Sequence, residues 1–210
     1  MNEAARTCIQ RCGLDDSVGR PLVVDLDGSL VRTDTTLECA MSLVKRPHAM
    51  LRALGAWRHG RARLKQALAA AAALDPASLP YDHRLLAYLR EAQAAGRRLV
   101  LATGADRRIA AAVAQHLDLF DVVLASDGRT NLTGHAKLAA IRELLGGNGF
   151  TYVGNSRADL PIWQAAEGCI CINARPTVAR AAARLATIEH AFPPDSAWMR
   201  PLLRVLRRHR

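Results

Sequence analysis

Asp25 and Asp27, in the run D-L-D-G-S-L, are the densest concentration of potential chemistry in the chain. They follow the apolar run P-L-V-V, which reads as a strand, and residues two apart leave a strand on the same side. Paired carboxylates repel, so a site that keeps both charged calls for a cation, and hard oxygen donors favour Mg²⁺. Gly28 permits a tight turn directly after the pair. D-x-D-G alone is a weak signal, since many surface turns contain it. Three further features sharpen it. Thr103 ends a second apolar run, Lys137 lies at the start of the helical pattern G-H-A-K-L-A-A-I, and G-N-S-R-A-D (Gly154 to Asp159) follows another apolar run. A hydroxyl, a cation and further oxygen ligands beside two carboxylates are the parts that phosphoryl transfer needs.

These residues must be brought together by a scaffold, and the hydropathy pattern describes one. Short apolar bursts at residues 21–25, 99–103, 121–125, 150–154 and 169–172 end in Gly, Asp or Ser. That pattern suits parallel strands covered on both faces. Between them, residues 82–95, 106–117, 134–145 and 158–167 read as helices. The alternation predicts an α/β fold, a doubly wound, Rossmann-like parallel sheet whose C-terminal edge collects the candidate residues. Residues 34–80 break the rhythm. They hold only helical patterns punctuated by Pro47, Gly55, Gly60 and Asp75-Pro76, and predict a small helical cap inserted after the first strand. The expected organisation is a core of residues 1–33 and 81–195, a cap of residues 34–80 and a basic tail of residues 196–210.

In order and spacing, these four motifs resemble those of the haloacid dehalogenase (HAD) superfamily of hydrolases over roughly residues 20–175. The resemblance implies that Asp25 is a nucleophile forming an aspartyl-phosphate, and that Asp27 acts as acid toward the leaving oxygen and then as base toward water. Thr103 and Lys137 would hold phosphoryl oxygens. Asp25, the backbone carbonyl of Asp27, Asn155 and Asp159 would hold Mg²⁺. Gly28, Ser29, Gly104 and Arg157 are candidate substrate-binding residues, although Arg157 equally suits a plain exposed position. An Asp at position 27 points within the superfamily to a phosphatase. Asn155 departs from the usual Asp and supplies an uncharged ligand. The stretches A-G-R-R-L-V-L-A-T, L-F-D-V-V-L-A-S-D-G-R-T-N-L-T-G and Y-V-G-N-S-R-A-D-L-P-I-W are similar to the HAD-type domain fused ahead of UbiA-type membrane prenyltransferases, and the closing L-L-R-V-L-R-R-H-R resembles the linker into that enzyme. The substrate this implies is a phosphorylated sugar carried on polyprenyl phosphate. The alternative is a catalytically silent module that binds an anionic membrane or recruits a membrane prenyltransferase.

Composition bounds the remaining readings. Half of the 210 residues are hydrophobic, enough for one buried core. The net charge of +10 is concentrated: residues 39–74 carry seven basic residues and no acidic one, and residues 200–210 carry five Arg and no acidic one. Such segments attract phosphorylated substrates, anionic lipid or nucleic acid. Nucleic acid ranks last, because stacking aromatics and recognition motifs are lacking. Met41, Leu43, Val44, Met50, Leu51, Leu54 and Trp57 form an apolar face among the cap's basic residues, which fits either an active-site cap or an interfacial helix. Trp57 and Trp163 read as packing anchors. The odd count of five cysteines argues against a disulfide framework; Cys169 and Cys171 read as small buried hydrophobes sharing a strand face. The N-terminal stretch lacks a secretory apolar core, so the expected location is cytoplasmic, including the inner face of the membrane.

Overall fold

A computed structural model describes residues 19–72 and 74–194; Cys8, Cys12 and the basic tail lie outside them. The first strand, β1 (Leu22–Val24), occupies the middle of a six-stranded sheet. It is flanked by β2 (Leu99–Asp106) on one side and β4 (Thr151–Gly154) on the other. β3 (Val122–Ser126) lies outside β2, and β5 (Gly168–Ile172) and β6 (Thr187–Phe192) lie beyond β4. The order is β3-β2-β1-β4-β5-β6 and every pairing is parallel, as the doubly wound reading expects.

Strand alternation divides the apolar side chains between two cores. Leu22, Val24, Leu99, Leu101, Val153 and Ile170 face one layer, with α4 (His83–Ala94) and α5 (Arg107–Leu117). Val23, Val100, Tyr152, Cys169 and Cys171 face the other, against α6 (His135–Leu145), the single turn α7 (Leu160–Trp163) and α8 (Pro176–Ala182). Both faces of β1 are therefore buried, which is why its sequence is a continuous apolar run. Asp82 and Asp106 cap α4 and α5 by accepting backbone N–H groups.

Residues 34–80 contain α1 (Thr35–Ser42), α2 (Pro47–Gly55), a 3₁₀ turn (Ala56–His59), α3 (Arg61–Ala71) and a second 3₁₀ turn (Pro76–Ser78). The two ends of this segment meet. Val31 bridges Tyr81, Arg32 N–H donates to the Pro80 carbonyl at 2.9 Å, and Asp82 N–H donates to the Leu30 carbonyl at 2.9 Å. The Asp82 carboxylate sits fully buried at this junction and accepts from Arg84, at 2.7 Å, and Asn173, at 3.0 Å. Burial alone would raise its pKa; hydrogen bonds from Arg84 and Asn173 and the Arg84 charge outweigh burial and hold it well below the usual range.

Several expectations change. The helix expected over residues 158–167 is a 3₁₀ turn (Arg157–Asp159) followed by α7, because the chain must turn back at Ala166–Glu167 to enter β5. β6 and α8 lack a counterpart in the sequence reading. β6 is an edge strand, T-I-E-H-A-F, largely exposed and without an apolar run. Trp163 is fully buried, as expected of an anchor, but Trp57 is 65% exposed and anchors nothing. Leu43 is buried and Met50 half-buried, so they leave the expected apolar face. Cys169 and Cys171 are buried with their sulfurs 3.5 Å apart. Among the described residues no helix is long and apolar enough to cross a membrane.

Candidate functional site

The parallel register determines what meets at the C-terminal edge of the sheet. Val24 pairs with Leu101 on one side and Val153 on the other. Asp25 is the next residue along β1, and its N–H donates to the Val153 carbonyl at 3.1 Å. Thr103 is two residues past the pairing on β2, and Asn155 two residues past it on β4. Three sequence-distant segments therefore leave the sheet side by side, as at the ligand-binding edge of open α/β sheets.

Asp25 is buried, and Lys137 in the first turn of α6 places its ammonium 2.6 Å from Asp25 Oδ1. Ser29 Oγ, also buried, lies 3.4 Å from the other carboxyl oxygen. Burial pushes the Asp25 carboxyl above the usual range; the Lys137 charge opposes this, and Asp159 and Asp27 add to it. Asp27 Oδ1 accepts the Thr35 N–H at 2.8 Å, so this carboxyl is tied to the start of the helical insert. Its pKa is raised by burial, against the lowering effect of Thr35. Gly28 adopts a φ of +76°, and a β-carbon there would collide with the Asn155 amide. The D-x-D-G turn and Asn155 are thus in contact, and only glycine fits between them. The Thr33 hydroxyl beside this turn is buried with no hydrogen-bond partner among the described residues.

Asp159 faces its own loop. Its Oδ2 accepts the N–H groups of Asn155 (3.1 Å) and Ser156 (2.9 Å) and the Ser156 hydroxyl (2.9 Å), while Oδ1 accepts from the Tyr152 hydroxyl at 2.8 Å. Tyr152 also lies 3.1 Å from Lys137 Nζ. A continuous path therefore runs Asp25–Lys137–Tyr152–Asp159–Asn155. In the sequence, Tyr152 reads only as part of a strand. The available signal was a tyrosine in a strand buried on both faces, whose hydroxyl needs a polar partner.

Thr103 is fully buried, and its hydroxyl accepts the Ala105 N–H at 3.0 Å. The Gly104 carbonyl accepts from Ser126, at 3.0 Å, and from Lys65 of α3, at 2.7 Å. Lys65 is thus a cation that the insert sends to the sheet edge, where it also acts on Asp27. Nothing in the sequence separated it from the other basic residues of the insert. Arg157 is exposed in the Asn155 loop, outside the hydrogen-bonded path. The structure therefore gathers Asp25, Asp27, Gly28, Ser29, Lys137, Asn155 and Asp159, places Thr103 and Gly104 on the adjoining strand, and leaves Arg157 at the surface.

No group of three His, Cys, Asp or Glu side chains among the described residues is arranged to hold a metal. The oxygen donors this sheet edge offers a hard cation are fewer: the Asp25 carboxylate, the Asp27 carbonyl and the Asn155 amide oxygen. Mg²⁺ commonly binds through only one or two carboxylates, with water and substrate phosphate completing its shell.

Known proteins resemble the chain at three levels. It is 40% identical over 153 residues to "Uncharacterized protein y4nM" of Sinorhizobium fredii, covering 72% of this chain and 30% of that protein; the chain thus spans less than a third of that relative's length. The structure is similar to that of a Bordetella pertussis protein (TM-score 0.62, 19% identity, 82% of this chain and 98% of that one). It is also similar to a substrate-bound phosphoserine phosphatase (TM-score 0.55, 16% identity, 88% and 98%). The model of the haloacid dehalogenase-like hydrolases matches residues 22–164, more than half of the chain and the stretch that holds every residue of the path from Asp25 to Asp159. The chain belongs to the haloacid dehalogenase-like hydrolase family.

Proposed function

We propose that the chain hydrolyses phosphomonoesters through an aspartyl-phosphate on Asp25. The carrying observation is the Lys137 ammonium 2.6 Å from the buried Asp25 carboxylate, with Asp27 two residues further on. The Asp25 carboxylate attacks phosphorus, and the bond to the ester oxygen breaks. Asp27, whose carboxyl pKa is shifted upward by burial, acts as the acid and delivers a proton to the leaving alcohol. The resulting Asp27 carboxylate takes a proton from water, the water oxygen attacks the phosphoryl group, and the Asp25 carboxylate and inorganic phosphate are released. Lys137 and the Thr103 hydroxyl offset charge on the phosphoryl oxygens. Gly28, Ser29 and Gly104 shape the cradle, and Arg157 meets the outer part of the substrate. Asp25, the Asp27 carbonyl and Asn155 would hold Mg²⁺, and Asp159 supports them by fixing the Asn155 loop. The cation would supply further charge stabilisation to the phosphoryl group.

The finer reading of the substrate is a phosphorylated sugar on polyprenyl phosphate, with a membrane prenyltransferase as partner. Its supports are the three sequence stretches that resemble the prenyltransferase-fused domain and the basic, apolar insert over the site. The test is phosphate release from a panel of phosphomonoesters, including phosphoserine, sugar phosphates and a prenyl-linked sugar phosphate, with Mg²⁺ and with EDTA. Metal-dependent release that vanishes in Asp25→Asn supports the reading, and the preferred ester assigns the substrate. A folded chain that releases no phosphate from any of them overturns it in favour of a binding module.

A further inference from the structure

Six of the eight exposed large hydrophobic residues among those described fall between residues 37 and 57: Leu37, Met41, Val44, Leu51, Leu54 and Trp57. Their spacing is helical. Leu37, Met41 and Val44 follow i, i+4, i+7 along α1 and its end; Leu51, Leu54 and Trp57 follow i, i+3, i+6 along α2 and the 3₁₀ turn. These stripes point away from the molecule's own core, because α1 and α2 bury other residues, Cys39 and Ala53, against it.

Apart from Asp34 and Glu38, which lie beside Leu37 at the start of α1, the charge around the stripes is positive. The segment from residue 39 to residue 74 holds seven basic residues and no acidic one. Lys65 turns inward to the Gly104 carbonyl, while Lys45, Arg46, Arg52, Arg58, Arg61 and Arg63 are exposed. Isolated surface hydrophobes need no explanation, but two helical stripes in a segment with an excess of exposed cations do. A nucleic acid would use the cations and leave Leu51, Leu54 and Val44 in water. An anionic bilayer matches both features, with headgroup phosphates for the cations and the acyl boundary for the aliphatic side chains and Trp57.

We propose that these two apolar stripes and the basic residues beside them seat the helical insert on an anionic phospholipid bilayer. The residues of this surface differ from those of the Asp25 site, and the inference stands whether or not that site is a phosphatase.

The test is co-sedimentation of the full chain with phosphatidylglycerol-containing and pure phosphatidylcholine vesicles at low and high salt. Binding is expected to anionic vesicles only and to weaken with salt. A blue shift of tryptophan emission should accompany it and be absent in Trp57→Phe. Leu51→Glu/Trp57→Glu, both at exposed positions, should lower partitioning at least about tenfold with the circular dichroism and melting temperature of the parent. Equal binding by parent and double variant overturns the proposal, because the basic residues alone or the C-terminal Arg residues would then carry it. So does salt-sensitive retention on single-stranded DNA without vesicle binding, or a stable dimer in solution that the double variant splits. Loss of phosphate release with vesicle binding intact would sink only the phosphatase reading.

Discussion

Asp25, Lys137 and Asp159 are withdrawn from water, and each is met by a charged or polar partner within 3.1 Å; in the insert, Leu51 and Trp57 stand in solvent at 67% and 65% exposure with arginines for neighbours. The two regions mismatch their surroundings in opposite directions. Buried charge is tolerated at the sheet edge because α6, β4 and the Asn155 loop bring donors and acceptors to it, and an unmet one would cost several kcal/mol. Exposed apolar surface in the insert costs less per residue but is met by nothing in the described protein. Both regions place groups against the general rule of burial, and the two proposals above rest on that.

That contrast can be broken from both ends. The largest effect is expected from Asp25→Asn, which removes the proposed nucleophile: phosphate release should fall by about a thousandfold or more while the variant stays folded by circular dichroism. Residual release near the parent rate would place the chemistry elsewhere.

Next is Asp82→Ala at the junction of insert and core. It removes the cap of α4 and the buried acceptor of Arg84 and Asn173, and should cost about 2–4 kcal/mol in urea unfolding. Because the folded carboxyl is held below its unfolded value, its contribution is complete above roughly pH 4 and is lost as the pH falls toward the lower folded pKa. The gap between parent and variant should narrow on acidification below that point. A gap that widens there would contradict the assigned direction.

Tyr152→Phe is a smaller change. It cuts the link between Lys137 and Asp159 while keeping the ring against Trp163. We expect kcat to fall about tenfold with KM nearly unchanged, and a stability loss of about 1–2 kcal/mol. A change in KM alone would argue against a role in positioning Lys137.

The smallest effect should come from Leu51→Ala, within about 0.5 kcal/mol of the parent. Leu89→Ala, at a fully buried position, should cost about 2–5 kcal/mol. A large loss at Leu51 would mean that the stripe packs within the protein and would close the comparison.

The chain's own chemistry made much of this legible in advance. Strands β1 to β5 are apolar runs because parallel strands packed between two helix layers bury most of their side chains. Asp25, Asp27, Lys137 and Asn155 stood out because their residue types sit at strand ends and helix starts, where an α/β sheet collects its ligands. β6 was invisible because a strand exposed along most of its length needs no apolar run. The shortened helix after Asp159 was misjudged because a local pattern does not show where the chain must turn to reach β5.

Sequence alone determined the alternation of strands and helices, the place of the insert and the residue types at the sheet edge, since all of these follow from periodicity and spacing along one chain. Tertiary structure alone decided that Tyr152 joins Lys137 to Asp159, that Asp159 turns toward its own loop, that Lys65 leaves its basic neighbours for Gly104, and that Trp57 is exposed while Trp163 is buried. Each of these depends on which distant side chain arrives at the same point in space, and that is set by sheet register and layer packing.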